Sequence, residues 1–330
     1  MALPDYLLDA HLDAPNRLAL ERSLGRRGKL KELFLDPMDR GGIKACFMAI
    51  WPEEEHRRDA RACFRRSLEL LEIAEEEIAL EPSSLLVKTG DDYAAALKDP
   101  QRRAIFLSAE GLTGLEERME ALDEMRARGV LMAGLTWNEP NALAGGVSEE
   151  EMGITPLGRS CLRRMEELGM ILDLAHLNDR SFFQALDLFE GAVVDSHTAC
   201  RELCPHRRNL TRRMMALLAE RGGVVGMAAV SGFLRENGAD LEDFLDHLCF
   251  AVEAIGVDHV GLGLDFSYML EEVGLLKDSA QVRGLSRPEE ASALAEGLRR
   301  RGFLPDEISS LCHGNWERIL SQVLDGSIGR

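Results

Sequence analysis

The stretch from residue 169 to residue 197 decides the fold, and it reads GMILDLAHLNDRSFFQALDLFEGAVVDSH. Two short apolar runs, 170–175 and 192–195, flank a helically periodic segment at 181–189. Near-continuous apolar runs without polar alternation are typical of strands that are buried on both faces of a parallel sheet. The stretch therefore predicts two parallel strands joined by a helix, and each strand ends close to a histidine, His176 or His197.

The same alternation extends in both directions along the chain. The predicted strands are 6–12, 43–50, 104–109, 131–136, 170–175, 192–195, 224–230 and 260–264. Examples of the predicted helices are 59–78, 115–128, 156–168, 181–189, 211–221, 241–255 and 287–301. About eight strand–helix repeats in one chain of this length predict an α/β fold, the (β/α)8 barrel. Because no linker, repeat or low-complexity tract divides the sequence, we predict a single domain over residues 1–330.

An open, doubly wound sheet is the main alternative to a barrel. Such a sheet needs a glycine-rich phosphate loop after an early strand. The nearest match, Gly261-Leu262-Gly263, lies far along the chain, lacks a third glycine and is not followed by a helix start. The pattern therefore favours the barrel.

Composition and charge exclude several classes of partner. The chain has 39 Lys and Arg against 57 Asp and Glu, a net charge of −18, which argues against nucleic acid and anionic membranes. The sequence contains no run of about 18 consecutive apolar residues, so we predict no membrane span. The first residues lack a basic segment and include Asp5 and Asp9, so we expect no secretory signal. Seven scattered cysteines indicate free thiols and a cytoplasmic location.

Candidate metal ligands occur where predicted strands end, which is where barrel active sites lie. His11 and Asp13 are two residues apart, a spacing that places both side chains on one face of a strand. Glu110 follows a wholly apolar strand and must be paired or coordinating, because an unpaired buried carboxylate is costly. The complete set is His11, Asp13, Glu110, His176, His197 and Asp265.

This set of imidazoles and carboxylates is typical of divalent metals, with zinc first. It exceeds the three protein ligands of one catalytic zinc and suits two ions bridged by a carboxylate and a water. Taken singly, each residue is also typical of a buried side chain in an ion pair. Cys200, Cys204 and His206 form a weaker zinc candidate without an evident fourth ligand. No Gly-x-Ser-x-Gly motif supports a serine nucleophile.

With these residues placed, the sequence resembles the membrane (renal) dipeptidase family of zinc peptidases from about Leu7 to Leu320. The order of the motifs, and a His-x-Asp in place of the His-x-His of many amidohydrolases, make the resemblance specific. The motifs are Asp9-Ala-His11-Leu-Asp13, Ser108-Ala-Glu110-Gly, Gly134-Leu-Thr-Trp137-Asn138, Gly169-Met-Ile-Leu-Asp173-Leu-Ala-His176, Asp195-Ser-His197-Thr, Arg207-Arg208-Asn209 with Gly222-Gly223-Val224, and His259-Val-Gly-Leu-Gly-Leu-Asp265-Phe.

The resemblance implies an amidohydrolase-type barrel that binds two Zn²⁺ ions and hydrolyses dipeptides through a bridging hydroxide. It implies that His11 and Asp13 bind one zinc, that His176 and His197 bind the other, and that Glu110 and the hydroxide bridge them. It further implies that Asp265 is the catalytic acid and base and that Arg208 binds the terminal carboxylate of the substrate. An arginine on a loop at the mouth of a barrel is independently suited to bidentate carboxylate binding. Tolerance of a D-residue at the C-terminal position and a homodimer are also expected.

One residue departs from the family pattern. Well-known members have a histidine, expected to polarise the scissile carbonyl, where this chain has Trp137. Tryptophan offers one N–H donor, no acceptor and no positive charge. The departure leaves open a core-packing role for Trp137, or a different small amide, ester or lactam as the substrate. A non-catalytic metal-binding barrel is a third reading, which an intact ligand set disfavours.

Overall fold

Parallel strands organise the chain in the computed structural model, which describes residues 6–57, 59–115, 118–275 and 281–324. Eight of them form a closed ring in the order β1-β2-β4-β5-β6-β7-β8-β9, and β9 pairs again with β1. The predicted (β/α)8 barrel is therefore confirmed. The strands are β1 (Leu7–Leu12), β2 (Ile43–Ile50), β3 (Ser84–Leu86), β4 (Arg103–Glu110), β5 (Val130–Gly134), β6 (Ile171–Asp173), β7 (Val193–Thr198), β8 (Val224–Met227) and β9 (Val260–Leu262).

Helices connect and surround the strands. They are α1 (Ala14–Ser23), α2 (Asp36–Gly41), α3 (Glu54–Arg57), α4 (Ala60–Leu80), α5 (Gly90–Lys98), α6 (Ala121–Arg128), α7 (Pro156–Glu167), α8 (Asp179–Leu188), α9 (Arg212–Glu220), α10 (Ser231–Leu234), α11 (Leu241–Ile255), α12 (Tyr268–Glu271), α13 (Ala293–Arg300), α14 (Pro305–Ser309) and α15 (Asn315–Val323). Short π-helical turns lie at Lys31–Leu35 and Ser310–Gly314, and 3₁₀ turns at Val257–His259 and Pro288–Ser292.

Local signals in the sequence explain several helix ends. Thr155 caps the start of α7, because its side chain accepts a hydrogen bond from the backbone N–H of Gly158. Gly169 and Gly222 follow α7 and α9 with φ of 61° and 74°, the left-handed conformation that favours glycine after a helix. The predicted helix 115–128 begins only at Ala121 in the structure, after a turn closed by a hydrogen bond from the Ala121 N–H to the Arg118 carbonyl. Its residues 116–117 lie outside the described residues.

Two apolar clusters stabilise the barrel. A large one lies between the strands and the outer helices. A second fills the barrel interior, where Phe47 stacks on Phe106 with ring centroids 4.8 Å apart. Trp316 of α15 joins this inner cluster and donates from its indole nitrogen to the carbonyl of Leu262, 3.0 Å away. The inner cluster fills the barrel beneath the strand ends that carry the polar candidates.

Other features bear on the sequence predictions. The seven cysteines, all within the described residues, are free thiols, as predicted. No helix in the described ranges has the length and apolar character needed to cross a bilayer.

The acidic run 75–77 is of the kind that is usually exposed to solvent. In the structure, however, Glu77 is buried, and its carboxylate accepts hydrogen bonds from the backbone N–H groups of Gly28 and Lys29 at 2.9 and 2.7 Å. The single-domain extent 1–330 stays a prediction, since residues 1–5 and 325–330 lie outside the described part.

Candidate metal centre

The six predicted ligand and catalytic residues meet at the carboxyl ends of β1, β4, β6, β7 and β9. Glu110 lies between the Nε2 atoms of His176 and His197 on one side and the Nε2 atom of His11 on the other. Its Oε1 is 2.5 Å from His176 Nε2 and 3.7 Å from His197 Nε2, while its Oε2 is 3.5 Å from His11 Nε2. On the other side of His11, Nε2 is 3.2 Å from Asp13 and 3.9 Å from Asp265. One carboxylate therefore faces both halves of the cluster.

Unusual backbone geometry places two of these residues. His176 and Asp265 have φ of 69° and 53°, and in the described ranges they are the non-glycine residues with positive φ. This conformation costs energy for residues with a Cβ and persists only where the surroundings enforce it. The predicted strands 170–175 and 260–264 end early, at Asp173 and Leu262, three residues before these two positions. The predicted strand 224–230 also ends early, at Met227.

Neighbouring side chains orient the imidazoles. His197 Nδ1 lies 2.7 Å from the Ser196 hydroxyl, which donates in turn to Asp173 Oδ2 at 2.5 Å. His176 Nδ1 lies 2.8 Å from Asn138 Oδ1. In both histidines the occupied Nδ1 leaves Nε2 as the atom that faces Glu110, and the two Nε2 atoms are only 3.0 Å apart. A partner on the second ring nitrogen is the usual support for a metal-binding histidine.

The charges of the cluster are poorly balanced by protein groups alone. Burial raises the pKa of Glu110 to about 8 and that of Asp265 to about 7. Burial also holds the pKa values of His176 and His197 well below their usual range, so both are neutral. A divalent cation among these donors would neutralise the crowded carboxylates and accept the lone pairs of the two uncharged Nε2 atoms that face each other. The donor set fits divalent metal ions.

A cavity of about 190 Å³ opens above the cluster. Arg208 lines it and is buried, and its guanidinium donates to the carbonyl of His197 at 3.1 Å and lies 5.5 Å from the Phe233 ring. Its Nε has no hydrogen-bond partner among the described residues. The cavity is walled by Asp13, Trp51, Glu110, Trp137, Asn138, His176, His197, His206, Arg208, Val230, Phe233, Asp265 and Ser267.

Trp137 lines the cavity and is half-buried, so it is not a core residue. Its ring stacks on His176, with centroids 5.6 Å apart and planes 24° apart. Trp51 lies 6.0 Å from the same ring, and the guanidinium carbon of Arg57 lies 3.8 Å from its centre. Trp137 is thus a fixed wall of the cavity, held by a cation–π contact.

The weaker zinc candidate is not supported by the structure. The thiol of Cys200 contacts the carbonyl of His247 and that of Cys204 contacts the carbonyl of Gly232. His206 instead stacks on Phe233 at 4.8 Å and accepts from the backbone N–H of Arg208. Backbone contacts account for these side chains.

Several site residues were not predicted. Ser196 and Asn138 stand inside the quoted motifs, beside a ligand histidine and Trp137. Asp173 and Asp195 also stand inside these motifs, just before the ligand histidines, but the sequence assigns them no contact. The structure shows that Asp173 is linked to His197 through the Ser196 hydroxyl. Trp51, Arg57 and Phe233 had no signal in the sequence, because they reach the site from segments that lie far from the ligand motifs along the chain: Trp51 follows β2, Arg57 ends α3 and Phe233 lies in α10.

A closed parallel barrel with imidazoles and carboxylates gathered at the carboxyl ends of its strands is the architecture of metal-dependent hydrolases. Comparison with known proteins narrows this class. The chain belongs to the membrane dipeptidase family, peptidase family M19, whose sequence profile matches residues 5–327.

Individual relatives agree with this assignment. An uncharacterized dipeptidase of Schizosaccharomyces pombe is 31% identical over 211 residues, covering 61% of this chain and 51% of that protein. Dipeptidase 3 of Mus musculus is 26% identical over 302 residues, covering 88% and 57%. The chain therefore spans only about half of the length of these curated relatives.

Among solved structures, a metallopeptidase from Rhodobacter sphaeroides superposes on the chain with a TM-score of 0.84 at 23% identity. The match covers 98% of this chain and 100% of that one. That protein is liganded with a phosphinate mimic of the dipeptide L-Ala-D-Ala. At this identity the likeness establishes a shared fold.

Proposed function

We propose that this protein is a binuclear zinc dipeptidase that hydrolyses the peptide bond of dipeptides, including those with a C-terminal D-residue. The observation that carries the proposal is the position of Glu110, whose two oxygens face His176 and His11 at 2.5 and 3.5 Å. A carboxylate between two sets of nitrogen donors is suited to bridge a pair of ions.

The donor set divides between two ions in the way that the family resemblance implies. His11 and Asp13 would hold one zinc, His176 and His197 the other, and Glu110 both. When bound, the ions lower the pKa of a shared water and polarise the substrate carbonyl. The remaining steps are the work of the protein's own side chains.

Two residues of the cavity are suited to the substrate. Arg208 binds its terminal carboxylate, because a buried guanidinium that lines the cavity is a strong donor to that group. Asp265 accepts the proton of the attacking water. After the oxygen has added to the carbonyl carbon and the C–N bond has broken, Asp265 returns the proton to the leaving amine.

The size of the cavity supports a short substrate. Its volume of about 190 Å³ is below the roughly 300–1,000 Å³ of sites for drug-sized ligands. Trp137 and Phe233 form two of its walls. The D-residue is supported by the dipeptide mimic bound to the Rhodobacter sphaeroides relative. The homodimer and the cytoplasmic location stay predictions from the sequence.

A panel of dipeptides with L- and D-residues at the C-terminus tests the proposal, with zinc-loaded and chelated protein side by side. Zinc-dependent cleavage of panel members is the expected result. Protein that holds two zinc ions but cleaves no dipeptide would refute it. In that case N-acyl amino acids, esters and lactams are assayed next, because the wall formed by Trp137 gives the cavity a different donor from the family histidine. A zinc-loaded protein inert to the whole series would be a metal-binding barrel without catalysis.

A further inference from the structure

Asn138 presents a side-chain amide to the cavity that the mechanism above does not use. The residue follows Trp137 on the loop after β5, is half-buried, and lines the same cavity as Glu110 and Asp265. Its Oδ1 lies 2.8 Å from His176 Nδ1. Since His176 directs Nε2 toward Glu110, its Nδ1 carries the proton, and Asn138 Oδ1 is the acceptor.

This contact fixes which way the amide points. With Oδ1 on His176, the amide nitrogen Nδ2 supplies two N–H donors. No residue within the described ranges accepts a hydrogen bond from Nδ2, although the side chain borders the cavity. An oriented donor without a protein partner is available to a ligand.

The backbone of the same residue is also held rigidly. The carbonyl of Asn138 accepts from the backbone N–H of Ser148 at 2.9 Å. Gly146 passes so close that a Cβ there would lie 2.5 Å from this carbonyl oxygen. Because both the main chain and the side chain are fixed, the donor needs no reorganisation when charge develops beside it.

We propose that Asn138 is a catalytic hydrogen-bond donor, whose Nδ2 binds the oxygen of the scissile carbonyl as that oxygen gains negative charge. No proton is transferred; the amide only donates a hydrogen bond. This inference rests on the proposed dipeptidase function. Trp51, Trp137 and His206 also bring ring N–H groups to the cavity. The His206 ring packs against Phe233, beside Arg208 at the end that binds the terminal carboxylate.

Two variants separate this role from mere support of His176. Asn138→Asp keeps an oxygen that accepts from His176 Nδ1 but removes the N–H donors. Asn138→Leu removes both and adds no charge. At saturating zinc, with two ions verified per chain, we expect both variants to lose roughly 10²–10³-fold in kcat, the usual effect of one such donor. KM for Ala-D-Ala should change only a few-fold.

Binding of a phosphinate analogue of Ala-D-Ala provides a readout that does not depend on turnover. Its Ki should rise in each variant by the same factor by which kcat/KM falls, because the analogue presents the charged oxygen of the transition state. Ser148→Ala is the control on the same loop, since its backbone contact survives; it should match the wild type.

Two results would overturn the inference. In one, both variants regain near wild-type kcat once zinc is saturating, which would make Asn138 a positioning residue for His176. In the other, the phosphinate binds the variants as tightly as it binds the wild type. A wild-type protein that cleaves no dipeptide would instead defeat the proposed function, and the phosphinate comparison would still decide whether Asn138 faces the charged oxygen.

Discussion

At the scale of single residues, Asp265 combines a strained backbone with a place at the edge of the metal cluster. Its φ is 53°, and its carboxylate lies 3.9 Å from His11 Nε2 on the cavity wall. Such strain is typical of residues whose position matters more than their contribution to stability. The proposed mechanism assigns this carboxylate the transfer of a proton between the attacking water and the leaving amine.

Asp265→Asn tests this assignment. The amide keeps the shape of the side chain but cannot accept the proton, so we expect kcat to fall roughly 10²–10⁴-fold while both zinc ions stay bound. Steady-state kinetics and metal analysis check the two parts of the prediction. Asp258→Asn, an exposed residue at the opposite end of β9, is the matched control. Turnover close to that of the control would remove Asp265 from the mechanism.

Arg208→Met tests recognition of the terminal carboxylate. Loss of a charge-assisted bond costs about 1.5–3 kcal/mol, so KM for dipeptides should rise roughly 10- to 100-fold. Dipeptide amides lack the carboxylate and should be affected much less. The neighbouring Arg207, which is 65% exposed and pairs with Glu150, serves as the control when it is changed to Met. An equal loss for acids and amides would show that Arg208 has another role.

At the scale of secondary structure elements, the ends of β8 and β9 are shaped by the strand that carries His197. Gly226 and Gly263 both lie against the carbonyl of Ser196, where a Cβ would approach to 2.0 and 1.7 Å. Close packing thus explains both glycines of the Gly261-Leu262-Gly263 segment, since Gly261 also makes room for the Trp316 indole. The glycines allow the backbone next to His197 to pack closely against its neighbours.

Gly263→Ala should therefore destabilise the barrel by about 1–3 kcal/mol, the usual cost of overpacking. It should also displace His197 and weaken zinc binding, because the added methyl would lie 3.3 Å from the Cα of that residue. Urea unfolding and zinc titration measure the two effects. Gly232→Ala is the control: it lies in α10 with no atom within 4 Å of an added Cβ. Similar unfolding midpoints for the two variants would disprove the packing argument.

Sequence patterns predicted the elements well and the contacts between them poorly. Apolar runs predicted the eight barrel strands, because strands buried on both faces leave that signature. The three-residue strand β3 is too short to produce it. The last residues of the predicted strands 170–175 and 260–264 leave the sheet ahead of His176 and Asp265, and backbone strain at such positions has no hydrophobic period. The contacts by which Ser196 and Asn138 orient the two histidines depend on distances in space, which a single sequence does not contain.

At the scale of the whole molecule, the metal centre exists only in the closed barrel. Its donors come from five strands, and the outermost, His11 and Asp265, are first and last in the sequence. The unfolded chain cannot hold these donors together. A metal ion that binds these donors would therefore favour the folded state, in addition to the stability that the apolar clusters supply.

This linkage predicts the effect of zinc on unfolding. At a free concentration one hundred times the Kd, one bound ion should stabilise the fold by about 2.7 kcal/mol. Chelated protein should stay folded, because its inner and outer apolar clusters need no metal, but it should unfold at a lower temperature.

Glu110→Gln should lose most of this stabilisation by zinc, since Glu110 contacts both halves of the cluster. His56→Gln, a surface histidine of α3, should keep it. Calorimetry with and without zinc decides the matter: an equal zinc effect in wild type and Glu110→Gln would place the ions elsewhere in the protein.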